Sequence, residues 1–329
     1  MGRVNDPSRL ARLNAIKLAA LVRDHVGGEP EFTAGVFPGG GALLHGSDAW
    51  VLLADRPARA LGGALAWALR QGAQRVNLIA EESTGTLVRR AAGFAVPINV
   101  WHAEGRALLP GVAEALPTPS PLPEHHLEFE AMIVDAGAQP CVEFGVLAGE
   151  VAGLEVCRVV DDPYLGVTRL EVGVGAHDRE AFQALHGDRP SAPALRDVVQ
   201  SVVQHRLVEG HGHPLSRLAQ ERLLRTRLVE QPSIIGATEV VAAPPPVPRP
   251  NLKDPVPCVA RAVVAGEQVA VVCSSGVDLD AVPFAVDACA ALGVERCLLV
   301  LPRRDAVDVQ RVLAAAASPS VDLVPVGTP

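Results

Sequence analysis

Two short runs in the middle of the chain carry its densest polar chemistry, Gly-Leu-Glu-Val-Cys at 153–157 and Leu-Glu-Val-Gly-Val-Gly at 170–175. Each sets one glutamate inside an apolar run of strand character, which places Glu155 and Glu171 on neighbouring strands within reach of each other. Paired carboxylates offer hard oxygen ligands to a divalent cation such as Mg or Mn. The helical stretch before them adds Glu128, and His177 and Asp178 follow directly after. The expected site takes Glu128, Glu155 and Glu171 as metal ligands, with Glu155, Glu171, His177 and Asp178 as the candidate catalytic groups of a metal-dependent hydrolase. The competing expectation is a half-exposed sheet whose alternate residues are acidic and solvated. Carboxylates brought together raise one another's pKa unless a cation or an arginine stands between them. Arg158, Arg169 and Arg179 are the nearest arginines, so the cluster is expected either to face a cleft for an ion or to be arginine-paired.

Other groups give weaker signals. His125-His126 and His211-Gly-His213 are the remaining histidine clusters, with His205 or His177 as third ligands for zinc, but a tight turn or a helix cap explains the His-Gly-His run equally. The glycines at 39–41 lack the lysine of a phosphate-binding loop and the spacing of a dinucleotide fingerprint, and read as a hairpin turn. Cys-Ser-Ser-Gly-Val-Asp at 273–278 lies between a strand and a helix, where backbone N–H groups can meet an anion. Ser274 or Ser275 as a nucleophile would need an elbow motif that is absent. Trp50, Trp67 and Trp101 sit in apolar patterns of core type.

The elements that must position these residues follow from periodicity and punctuation. Asp6-Pro7-Ser8 is a helix start, and apolar residues recur at helical spacing to about Val26, where two glycines end the run. Three short strands are expected at 32–37, 42–45 and 49–54, then a helix at 58–71, a strand at 76–80, a helix at 86–94 and a strand at 98–102. The proline-rich stretches at 116–124 and 243–257 break regular structure. Between them the pattern predicts a helix at 124–136, strands at 141–147, 153–160 and 169–174, and helices at 179–185, 195–206 and 214–230.

An internal echo organises the whole. The segment from Gly41 to Glu82 and that from Ala260 to Pro302 share one apolar rhythm, with Gly46 opposite Gly266 and Gly72 opposite Gly293. The expected fold class is therefore α/β, with two related α/β units carrying mixed sheets around a central α+β segment. Residues 1–115 form the first unit, 116–212 the acidic centre and 213–329 the second unit. The helix, three-strand meander, helix, strand order resembles the restriction-endonuclease-like, or PD-(D/E)XK, superfamily. That family uses an acid on the second strand and an acid-x-Lys on the third to bind a divalent metal. Here Asp55 matches the acid but Pro57 stands in place of the lysine, and the second copy supplies Asp278 and Asp280 without a lysine. The resemblance thus implies units that keep the topology and have lost the motif.

Composition bounds the function. The 329 residues, 49% hydrophobic and 20% charged, suit a compact folded protein. A net charge of −8 opposes a broad nucleic-acid surface, while a local arginine-lined groove for nucleic acid and a homo-oligomer both stay compatible with it. The six cysteines form no CxxC pair and are expected to be reduced and buried. The start lacks the apolar stretch of a signal peptide, and no window approaches a membrane span, so the expected location is the cytoplasm. The leading expectation is a nuclease-like or metal-dependent phosphodiesterase of nucleic-acid or nucleotide metabolism. A non-enzymatic scaffold of degenerate nuclease-like units and a small-molecule or nucleotide sensor are the alternatives.

Overall fold

The computed structural model describes residues 7–163, 166–186, 191–206, 213–248 and 256–327. The chain is an α/β protein that divides into two compact units. The first comprises Met1–Leu116, Val277–Leu299 and Ala306–Leu323, and the second Pro117–Gly276, Val300–Asp305 and Val324–Pro329. No helix among the described residues is long and apolar enough to cross a membrane.

In the first unit α1 (Pro7–Val26) turns Leu18, Leu21 and Val22 inward, one face of a 3.6-residue repeat, and these pack with Leu43, Trp50, Leu52 and Leu108. An antiparallel meander follows: β1 (Thr33–Gly35), β2 (Gly40–His45) and β3 (Asp48–Leu53). Two glycines make its second and third strands fit. A Cβ on Gly40 would lie 1.8 Å from the Leu52 carbonyl oxygen, and Gly46 closes the next turn at φ +60°. Then come α2 (Leu61–Arg70), β4 (Arg75–Ala80), α3 (Thr84–Ala91), β5 (Ile98–Glu104) and β6 (Ala107–Pro110). β3, β4 and β5 pair in parallel across the two helical crossovers, and the sheet runs in sequence order from β1 to β6.

The second unit opens with a 3-10 turn (Glu124–Phe129) leading into α4 (Glu130–Asp135), where the pattern predicts one continuous helix. A four-stranded antiparallel sheet follows, β7 (Gln139–Glu143), β8 (Val146–Val151), β9 (Leu154–Asp162) and β10 (Val167–Val172), in the order β10-β9-β8-β7. The apolar run at 141–147, read as one strand, is in fact a hairpin. Phe144 and Gly145 both take positive φ, a two-residue turn that an unbroken apolar pattern conceals. α5 (Gly175–His186) and α6 (Ser191–Arg206) join Ile133, Leu154, Val159, Leu170 and Val172 in one core.

The expected helix at 214–230 is two pieces, α7 (Pro214–Arg217) and α8 (Gln220–Glu230), because Leu218 is extended and Ala219 left-handed. The break exposes carbonyl groups that Arg206 collects, donating to Leu215, Leu218 and Ala219 as well as Ala152. β11 (Ala237–Ala243), which the sequence pattern did not separate from the following proline-rich stretch, pairs antiparallel with β12 (Cys258–Val264), and β12 with β13 (Glu267–Cys273). The chain ends in α9 (Ala281–Leu292), β14 (Arg296–Pro302), α10 (Asp308–Ala315) and β15 (Ser320–Val326). The third sheet has the order β11-β12-β13-β14-β15.

Candidate functional site

Glu155 and Glu171 do meet, and they meet on a guanidinium. Strand alternation alone would put Glu155 and Arg158, three residues apart, on opposite faces of β9. The register between β8 and β9 slips at Gly149/Glu150, where Glu155 rather than Val156 falls opposite Glu150, and this irregularity flips the phase. Glu155 therefore shares a face with Arg158, which is the cross-strand partner of Glu171. Arg158 donates to both oxygens of Glu155, Nε to Oε1 at 3.1 Å and Nη2 to Oε2 at 3.0 Å. Arg179, from the first turns of α5, donates from Nη1 to Glu155 Oε1 at 2.6 Å, and its Nε stands 3.6 Å from Glu171 Oε2, an ion-pair distance without a hydrogen bond. Glu171 is completed by Arg169 at 3.1 Å, which also pairs with Asp162. The position between the two glutamates, where a divalent ion would bind, is thus held by Arg179.

The same charged layer continues towards α8. Arg222 donates to both Glu150 and Glu143, and Arg225 to Glu150 Oε2 at 3.3 Å and to the Val259 carbonyl at 3.3 Å. Arg222, Arg225 and Glu150 are almost fully buried, so removing one of them would leave an uncompensated charge out of water. A pocket of about 140 Å³ opens beside Glu143, Glu155, Arg158 and Arg222. Cys141 lines it, and burial, with Glu150 adding to it, pushes this thiol up to about 12, so it is no nucleophile at neutral pH.

The remaining sequence-derived candidates lie apart. Glu128 is exposed on the 3-10 turn, and His177 and Asp178 are exposed on the first turn of α5. The acids that the nuclease resemblance singles out carry structural bonds or stand in solvent. Asp55 is exposed beside Arg56. Asp278 accepts from Arg59 at 3.1 Å, and Asp280 accepts the Gly62 N–H at 3.1 Å near the start of α2. At the turn after β13, the amide of Gly276 that could meet an anion donates instead to Asp305 at 2.8 Å. His213 caps α7 by accepting the Leu215 N–H and stacks on His205 with ring centroids 4.1 Å apart, while His211 lies outside the described residues.

Among the described residues, the group of side chains close enough to share one ion is His125, His126 and Asp161, whose ligand atoms lie within 4.8 Å of one another. The histidines sit on the 3-10 turn, and Asp161 lies near the end of β9 beside its cross-strand partner Thr168 on β10. Asp161 Oδ1 accepts from the Thr168 hydroxyl at 2.7 Å and lies 2.9 Å from His125 Nε2. The Thr168 hydroxyl first, and then the two histidines, hold the Asp161 carboxyl well below the usual carboxylate range. His126 Nε2 is 3.1 Å from the same oxygen but out of line for a hydrogen bond, so both ring nitrogens of this buried imidazole lack a hydrogen-bond partner. A buried polar group left so costs about 1–3 kcal/mol. The sequence pattern marked the paired histidines but not Asp161, which reads as the polar end of a strand. The acid-acid-proline run at 161–163, closing an apolar strand, was the available signal. Comparison with protein-family models, with curated proteins and with solved structures finds no match for this chain.

Proposed function

We propose that the protein is a non-enzymatic scaffold or interaction protein, two related α/β units of restriction-endonuclease-like order around a central acidic segment, in which the paired acids of the centre and those of the second unit serve structural bonds. The observation that carries this reading is Arg179, which occupies the place between Glu155 and Glu171 that a hydrolytic metal would need. Asp278 and Asp280, bonded to Arg59 and to the Gly62 amide, point the same way.

Kinship of the two sequence copies, whose bounds differ from those of the two compact units, is supported by their common element order. α1 to β5 reads helix, three strands, helix, strand, helix, strand, and so does the series from α8 to β15. The strands of both lie in sequence order within their sheets. Gly46 and Gly266 both turn their hairpins with positive φ, and Gly72 and Gly293 both follow the next helix with positive φ.

The test is hydrolysis. The full chain, incubated with Mg or Mn and either a bis-aryl phosphodiester or single- and double-stranded DNA, is expected to give no turnover above the protein-free rate. Turnover that disappears in Glu155→Gln or Glu171→Gln would overturn the scaffold reading in favour of a metal-dependent phosphodiesterase.

A further inference from the structure

We propose that His125, His126 and Asp161 form a binding site for a first-row transition-metal dication of the zinc class, held by two imidazole nitrogens and one carboxylate oxygen with a fourth position open to water. This inference stands independently of the scaffold reading, because the site shares no residue with the arginine-filled face of the sheet.

The donor set is the first argument. Two imidazoles with one carboxylate are the ligands that zinc and its neighbours take in three-ligand sites, whereas Mg and Ca prefer oxygen alone. Geometry is the second. A tetrahedral ion at the usual 2.0–2.1 Å from each ligand sets its donor atoms about 3.3 Å apart. His125 Nε2 and His126 Nε2 already stand 2.9 and 3.1 Å from Asp161 Oδ1, close to that spacing, and all three ligand atoms lie within 4.8 Å of one another, so side-chain adjustments suffice to close them on one ion.

The third argument is His126 itself. Its side chain is only 6% exposed, its Nε2 stands 3.1 Å from Asp161 Oδ1 but off the line of a hydrogen bond, and it makes none. An ion between it and Asp161 would supply the missing partner. Thr168 provides the outer support that metal-binding carboxylates commonly have, its hydroxyl donating to Asp161 at 2.7 Å. The side chains of His125 and Asp161 are 52% and 53% exposed, which gives the ion an entry path and leaves water as its fourth ligand. A bound ion would clasp the 3-10 turn to the β9–β10 hairpin. His126 Nδ1 has no acceptor, so the ring lacks the outer bond that orients a ligating histidine, and affinity is expected to fall roughly 10- to 100-fold below that of a fully braced site.

The experiment is equilibrium dialysis of the chelator-treated full chain against zinc, with cobalt as a spectroscopic substitute. Wild type is expected to retain one equivalent of zinc at micromolar free metal. Cobalt should give the intense visible bands of a four-coordinate ion. His125→Ala and Asp161→Asn, both at exposed positions and so compatible with folding, should each weaken retention about tenfold or more. Thr168→Val should weaken it less, and His205→Ala and His213→Ala should leave it unchanged. His126→Gln completes the set, with circular dichroism reporting whether this buried change still folds. Failure of wild type to retain zinc, or retention equal to wild type in both His125→Ala and Asp161→Asn, would overturn the site.

Discussion

Arg179 brings two acids of neighbouring strands onto one guanidinium. Glu155 is 3% exposed, a place where a carboxylate without a partner is costly, and Arg158 and Arg179 both donate to it. Arg179→Ala removes one guanidinium partner from Glu155 and one from Glu171, while Arg158 still pairs with Glu155 and Arg169 with Glu171. It is expected to cost about 2–4 kcal/mol in urea unfolding, and a loss under 1 kcal/mol would show that the pairing contributes little. Asp280 is the opposite case, an acid whose burial is poorly compensated. Burial raises its pKa from 3.8 to about 6 against the pull of the Gly62 amide, with Asp278 adding to the rise. Between those values the folded chain holds a proton that the unfolded chain has lost, so stability falls as pH rises through this window and the full penalty persists above it. Asp280→Asn keeps an oxygen for Gly62 and removes the titration. It should stabilise the protein by about 1–3 kcal/mol at pH 7 and by almost nothing below pH 4, and an equal effect at both pH values would refute the assignment. The convergence of Glu155 and Glu171 was legible in the sequence, as was the choice between cation and arginine. The register slip that aims Glu155 at Arg158 was not, because nothing in Leu-Glu-Val-Cys distinguishes a bulged strand from a regular one.

At the scale of elements, the turns and breaks decide which side chains meet. Gly62 illustrates close approach within the first unit. A Cβ there would fall 2.1 Å from the Leu279 carbonyl oxygen, a backbone atom that cannot swing aside as a side-chain tip can. Gly62→Ala should therefore force α2 away from the Leu279–Asp280 segment and lose the Gly62 to Asp280 hydrogen bond, at a cost of about 1–3 kcal/mol despite alanine's better helix propensity. A stabilised variant would show that the contact yields easily. In the first unit, helices and buried strands were readable because α1, α2, β3 and β4 have clean periodicity with glycine stops. The second unit was harder. Its hairpin at 144–145 interrupts a continuous apolar run, and its helix at 214–230 breaks at Leu218 without a glycine or proline. The break is stabilised from a distance by Arg206, whose pKa burial lowers to about 10 and whose donors reach the carbonyls of Leu215, Leu218 and Ala219. A contact of that kind leaves no local trace in sequence.

Over the whole molecule, the cysteines offer a reading that does not depend on any one site. All six are unbridged, Cys141 half-buried and the others buried, as expected of thiols that alternate with Val, Leu and Ala in core runs. Reaction with a disulfide reagent needs both access and the thiolate. Burial pushes Cys157, like Cys141, up to about 12, which at pH 8 leaves a thiolate fraction on the order of 1 in 10,000. Cys289 differs, its pKa lowered by a hydrogen bond from Cys297, yet it is only 1% exposed and access still limits it. Labelling of the native chain at pH 8 should therefore be slow at every buried position and should follow opening of the structure, with Cys141 reacting first and with a sharp acceleration through the urea transition. Cys258 and Cys273 are the most telling pair, since they face each other where β12 begins and β13 ends, are 1% and 0% exposed, and can react only when those strands open. Mass-resolved labelling that found either of these modified within minutes in native buffer would mean that the third sheet is far less stable than its buried apolar strands require.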